Sequence, residues 1–166
     1  MSERVSSTLG SSLTVEDLGE IAEQVWSSYV DPDERAPLFV IGAPDQDGEA
    51  PPEVSASVSI TGAVRGRVVV GCSANLARWA TAALLALDKD AVTVPDIVDA
   101  LGELTNIIGG NVKSVLPAAC GMTLPRVALG MHAQSDVDGP APAGVRVCEV
   151  VADWLGERLS ISVWQD

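Results

Sequence analysis

From Pro95 to Leu116 the chain sets its apolar residues at helical spacing along one side only. Ile97, Leu101, Leu104, Ile108, Val112 and Val115 share that side. At about 100 degrees per residue, Asp99, Glu103, Asn106, Gly110 and Lys113 fall opposite it, within an arc of about 80 degrees. Such a helix must lay its apolar side on another layer and present the other side to water or to a partner. Pro95 suits the first turn and Pro117 marks the end.

The layer that receives it is legible as strands. Val54 to Val64 alternates apolar and polar residues, Arg67 to Cys72 is apolar and β-branched, and Gly62 to Gly66 supplies the turn of a hairpin. Leu124 to Leu129, Val145 to Trp154 and Arg158 to Trp164 also read as strands. Two further helices are expected. One runs from Thr14, its N-cap, with Asp17 three residues on, to Tyr29 before Asp31 and Pro32. The other runs from Ala74 to Leu87. Ala43 to Glu53 and Ser135 to Gly144 have the Pro, Gly, Asp and Ala content of exposed loops.

The chain also repeats itself. Leu18-Gly19-Glu20-Ile21-Ala22-Glu23 matches Leu101-Gly102-Glu103-Leu104-Thr105-Asn106 at an offset of 83 residues (18 to 101), and the turn at Arg65-Gly66-Arg67 matches that at Leu155-Gly156-Glu157 at 90 (65 to 155). Either a helix-plus-hairpin unit was duplicated or two segments converged on one amphipathic pattern. The second copy has Asn106 where the first has Glu23.

With 166 residues, 47% of them hydrophobic, the chain can bury one sizeable core, so a single domain over 14–166 is expected behind an unstructured segment at 1–13. No apolar run has the roughly 18 residues of a membrane span, and the Ser-rich start lacks a signal-peptide core, so a cytoplasmic protein is expected. A net charge of −13, with only 10 scattered Lys and Arg, argues against nucleic acid and anionic lipid as partners. Cys72, Cys120 and Cys148 form no Cys-x-x-Cys pair and read as packed thiols. The lone His132 has no ligand neighbours in sequence, and no metal site is expected. Trp26, Trp79, Trp154 and Trp164 read as core or interface.

Glu103 and Asn106 can be read in two ways, as plain solvation of an exposed face or as a site. Three glycines, each a poor helix former, lie in the same segment. Gly102 and Gly109 share a flank that suits close packing against a neighbouring helix. Gly110 lies one turn beyond Asn106 on the polar face, where a missing side chain would let a partner approach. An amide can orient water but cannot take its proton strongly. Paired with a carboxylate, it suits a reaction that needs positioning more than acid–base help, such as phosphoryl transfer.

The string Asp99-x-x-x-Glu103-x-x-Asn106, continued by Ile107-Ile108-Gly109-Gly110-Asn111-x-Lys113, resembles the motif of the CheX, CheC and FliY phosphatases, which act on the chemotaxis response regulator CheY. The hairpin Ile60-Thr61-Gly62-x-x-x-Gly66-x-Val68-Val69-Val70 and the later Leu124-Pro125-x-Val127 are similar to that family too. The resemblance covers Val54 to the C-terminus. It implies a CheC/CheX-like α+β fold, a largely antiparallel sheet from two helix-plus-hairpin units covered by long helices.

It also implies an aspartyl-phosphate phosphatase. Asn106 would orient the attacking water, and Glu103 would pair with the active-site lysine of a receiver domain. Asp99, Gly110 and Lys113 on the same face would be partner contacts; Lys113 is otherwise solvated or paired with an acid of its own helix. Magnesium would be bound by the receiver, with no cofactor on this chain. One such helix motif is present, as in CheX, so the first copy, with Glu20 and Glu23, would be inactive. A homodimer through sheet edges is implied as well. The rival is a non-catalytic adaptor that docks on a receiver or a motility component through the same face, and a weaker third option is a scaffold or sensory domain.

Overall fold

A computed structural model describes residues 12–43, 51–116, 119–130 and 144–166. His132, Pro117, most of the two loops expected at 43–53 and 135–144, and residues 1–11 lie outside them. Among the described residues three α-helices and seven strands are formed: α1 (Val15–Val25), β1 (Phe39–Gly42), β2 (Val54–Gly62), β3 (Gly66–Cys72), α2 (Ala74–Leu85), α3 (Val94–Ser114), β4 (Cys120–Met122), β5 (Arg126–Leu129), β6 (Val145–Trp154) and β7 (Glu157–Gln165).

Both α1 and α3 start on a capping box. Thr14 accepts from the Asp17 backbone N–H and Asp17 from that of Thr14; Thr93 and Asp96 repeat the exchange, with Pro95 in the first turn. The helix expected from Thr14 to Tyr29 changes pitch near its end, because Trp26–Val30 is a π-turn whose closing bond runs from the Asp31 N–H to the Trp26 carbonyl.

The sheet is antiparallel throughout, in the order β1-β6-β7-β3-β2-β4, with β5 also on β2. The hairpins β2–β3 and β6–β7 meet along β3 and β7 at its centre. Each flanking strand crosses over: β1, which follows α1, pairs with the second hairpin, while β4 and β5, which follow α3, pair with the first. The repeat seen in the sequence is thus an approximate two-fold in the fold. β1 and β4 were not legible as strands, because four and three residues are too few to show a period.

Val54, Ala56, Val58 and Ile60 of β2, Val68 and Val70 of β3, and Leu159, Ile161 and Val163 of β7 point into one core with Leu18, Leu101, Leu104, Ile108 and Val112 of the helices. The alternation of β2 is the source of this face. Two corrections follow. Leu13, expected within the unstructured start, is buried at 2% exposure. Gly102 and Gly109 do not serve helix–helix packing: a Cβ on Gly109 would lie 2.6 Å from Val58 Cγ2 and 2.8 Å from Met122 Sδ, and one on Gly102 would meet Pro125 and Val127. The glycines let α3 settle onto strands.

Trp26 and Trp154 are core residues packed edge to face, with ring centroids 5.2 Å apart. Cys72 and Cys148 are buried and Cys120 is half-buried, all as free thiols. Among the described residues no helix is long and apolar enough to cross a membrane.

Candidate functional site

The outer face of α3 rises over β2, opposite the residues that enter the core. Asp99 and Glu103 are exposed there, while Asn106, Gly110 and Lys113 are half-buried, in the row the helical period requires. Glu103 and Asn106, three residues apart, are neighbours with Cβ atoms about 5–6 Å apart. Among the described residues neither side chain has a hydrogen-bond partner, and Lys113 has no ion-pair partner. A Cβ on Gly110 would meet nothing within 4 Å, so the space beside Asn106 is open.

The supporting positions are occupied differently. Thr105 is fully buried and its Oγ1 donates to the Leu101 carbonyl at 2.7 Å. Asn111, part of the same sequence motif, donates from Nδ2 to the Ile107 carbonyl at 2.9 Å, so its amide is engaged with the helix itself. Among the described residues the Asn106 amide, unlike that of Asn111, has no such bond.

The turn between β4 and β5 forms one rim of this face, a part that sequence reasoning did not assign to the site. The Thr123 N–H donates to the Ser59 carbonyl at 2.9 Å, and the Ser59 N–H donates to Thr123 Oγ1 at 3.0 Å. Pro125 Cγ lies 3.4 Å from where a Gly102 Cβ would stand, one residue before Glu103. Held between these anchors, Leu124 is 86% exposed. In the sequence Leu124 and Pro125 stood out as part of a strand expected from 124 and of the family-like string Leu124-Pro125-x-Val127; the strand begins at Arg126.

Among the described residues no group of three or more His, Cys, Asp and Glu could hold a metal ion. The buried thiols do not contribute a nucleophile: burial, with Glu53 nearby, pushes Cys72 up to about 12, and burial also raises Cys148. The outer face of α3 thus presents an amide and a carboxylate beside open space at Gly110.

The fold has close relatives among solved structures. CheX from Vibrio vulnificus aligns with a TM-score of 0.68 at 17% identity, covering 92% of this chain and 95% of that one. CheX from Desulfovibrio desulfuricans gives 0.67 at 19%, covering 92% and 98%. A CheX–CheY–BeF3–Mg2+ complex from Borrelia burgdorferi gives 0.68 at 17%, covering 93% and 99%. At such identities these likenesses establish the fold. No curated protein sequence matches the chain. Residues 54–145, more than half of the chain, match the family described as chemotaxis phosphatase CheX. They span the first hairpin, α3 and the turn beside it, so the chain belongs to the CheX family of chemotaxis phosphatases.

Proposed function

We propose that this chain removes the phosphoryl group from the aspartate of a CheY-like receiver domain, with Asn106 as the catalytic residue and Glu103 as the docking anchor. The observation that carries the reading is the open face of α3, where an amide and a carboxylate without hydrogen-bond partners among the described residues stand side by side, with no side chain at Gly110 to keep a partner away.

On a docked receiver the Asn106 amide oxygen accepts a hydrogen bond from a water and holds it in line with the phosphorus. The water oxygen bonds to phosphorus as the bond to the aspartyl oxygen breaks. The proton leaves with inorganic phosphate and the receiver carboxylate is restored. The loose transition state of phosphoryl transfer asks for alignment and charge neutralisation more than for a base, and an amide can supply the first. The second falls to the receiver, with Mg2+ on its own carboxylates and a lysine that Glu103 pairs with. The solved complex of a CheX with CheY, BeF3 and Mg2+ supports a CheY-like receiver as the partner and Mg2+ as belonging to the complex. Asp99, Lys113 and the apolar Leu124 surround the pair as further contacts.

A second copy of the chain pairing through sheet edges belongs to the same proposal. β1 ends the described sheet, and Phe39 and Ile41 on it are 64% and 62% exposed. Sedimentation of the wild type against Phe39→Lys, Ile41→Lys tests this, a monomer in both being the adverse result.

The catalytic reading is tested by the decay of phosphorylated receiver. Wild type accelerates it; Asn106→Ala still binds the receiver but is slower by about a hundredfold, the usual cost of losing an aligning group. Equal rates for the two proteins would sink the mechanism. Retention of phosphorylated receiver with no acceleration by wild type would establish the adaptor instead.

A further inference from the structure

Charge changes sign along the outer row of α3. Asp99 and Glu103 lie toward its N-terminal end, Asn106 follows, and Lys113 stands at its C-terminal end with no acid between Glu103 and Lys113. From Asn106 to Lys113 the chain advances about 10.5 Å along the axis and returns to within about 20 degrees of the same direction. Gly110 stands between them. A Cβ there would meet nothing within 4 Å, so Lys113 itself leaves that space open. The row thus holds a bare gap with an amide at one end and a cation at the other.

The cation is short of a partner in a chain that has acids to spare. With 23 Asp and Glu against 10 Lys and Arg, a basic side chain readily finds one, as Arg35 finds Asp33 and Arg146 finds Glu149. Lys113 is half-buried, yet among the described residues its ammonium has neither an ion-pair nor a hydrogen-bond partner. The helical neighbours within reach are Gly109 and Gly110 behind it and Leu116 and Pro117 ahead, none of them acidic. A partner on its own helix, which the sequence had left open, is therefore not realised. Its Cα–Cβ bond, like every one on a helix, tilts toward the N-terminus and so toward the gap.

We propose that Lys113 is a phosphoryl contact: with a receiver docked on α3, its ammonium donates a hydrogen bond to a non-bridging oxygen of the aspartyl phosphate, which lies over Gly110 with Asn106 at its other side. This inference rests on the reading of α3 as the dephosphorylating face and adds one cation of this chain to those of the receiver. Lys113 keeps its proton throughout. It neutralises charge on the phosphoryl oxygens while Asn106 aligns the water, and a hydrogen bond between two charged groups is among the stronger ones a surface can offer. The row also sets which way round the receiver sits. An anion is repelled by Asp99 and Glu103 and drawn to Lys113, so the phosphoryl group takes the Gly110 side of Asn106 and the receiver's lysine the Glu103 side.

Two other roles for Lys113 are separable from this one. A carboxylate on the receiver would satisfy the ammonium without touching the reacting group. The negative end of the α3 dipole favours a cation in the last turn, a role confined to stability.

The test is single-turnover decay of phosphorylated receiver, at limiting and at saturating concentrations of full-length protein, for wild type, Asn106→Ala, Lys113→Met and Lys113→Arg, with the Tm of each. Lys113→Met should lower the saturated rate about tenfold, the scale of one charge-assisted hydrogen bond to the reacting group, with little change in Tm. Lys113→Arg, which keeps the charge, should recover most of that rate. A Lys113→Met variant that binds more weakly but reaches the wild-type rate at saturation assigns Lys113 to a receiver carboxylate and overturns the proposal. So does one that loses Tm at an unchanged rate, which is the dipole role alone. In either case a slow Asn106→Ala beside a fast wild type leaves the dephosphorylating face standing, whereas a wild type that does not accelerate decay overturns both.

Discussion

Gly109 of α3 and Val58 of β2 approach so closely that a Cβ on the glycine would stand 2.6 Å from the valine Cγ2. Both belong to the buried layer, and Met122 Sδ closes the same space at 2.8 Å. The helix can lie this near the sheet only because the side chain is missing.

Gly109→Ala should therefore lose about 1–3 kcal/mol of stability in urea denaturation, the cost of overpacking a filled core, despite the better helix propensity of alanine. Unchanged or raised stability would show that α3 can ride outward from β2 without cost. The same variant displaces the turn next to Asn106, so receiver dephosphorylation should also slow.

Gly110 is the control next door. With nothing within 4 Å of its Cβ position, Gly110→Ala should stabilise the helix by about 1 kcal/mol. If a receiver approaches Asn106 over this gap, the same substitution should raise KM for phosphorylated receiver several-fold. A rise in Tm with unaltered KM would place the receiver elsewhere.

Cys72 predicts a pH dependence. Burial, with Glu53 adding to the effect, raises its thiol from the ordinary value of 9.0 to about 12. The unfolded chain therefore loses this proton first as pH rises. The sign follows: the stabilisation is fully present below about pH 9 and falls between about 9 and 12, at up to about 1.4 kcal/mol per pH unit. Urea midpoints of the wild type should decline over that window more steeply than those of Cys72→Ala, whose midpoint is lower at pH 7 for lack of packing. At pH 8, an alkylating reagent should reach the half-buried Cys120 ahead of Cys72 and Cys148.

The β6–β7 turn carries a local misfit. Leu155 and Gly156 both have positive φ, 55° and 81°, the geometry of a two-residue primed turn that favours Asn-Gly. Leucine in this conformation costs roughly 1–2 kcal/mol, and Leu155 is 52% exposed, so little packing would be lost on its removal. Leu155→Asn should raise stability by about 1 kcal/mol, read as a higher Tm at unchanged activity. A lower Tm would mean that the leucine packs more than its exposure indicates.

Much of this molecule was determined locally. The caps at Thr14 and Thr93, the alternation of β2 and the one-sided apolar pattern of α3 follow from residue order, because hydrogen bonding at helix ends and the burial of one face act over a few residues. The row from Asp99 to Lys113 was set in the same way, since helical pitch alone aligns it. The repeat of Leu18–Glu23 in Leu101–Asn106 was legible too. Its meaning was decided by the tertiary structure, which crosses β1 onto the second hairpin and β5 onto the first. That exchange brings strands against Gly19 and Gly102 and assigns Gly109 to a strand contact. It also sets Pro125 against Gly102, leaves Gly110 facing open space and brings Glu34 into one cleft with Glu20 and Glu23. Those outcomes depend on which surfaces meet across long stretches of chain, and no period of two or of 3.6 residues encodes such a meeting.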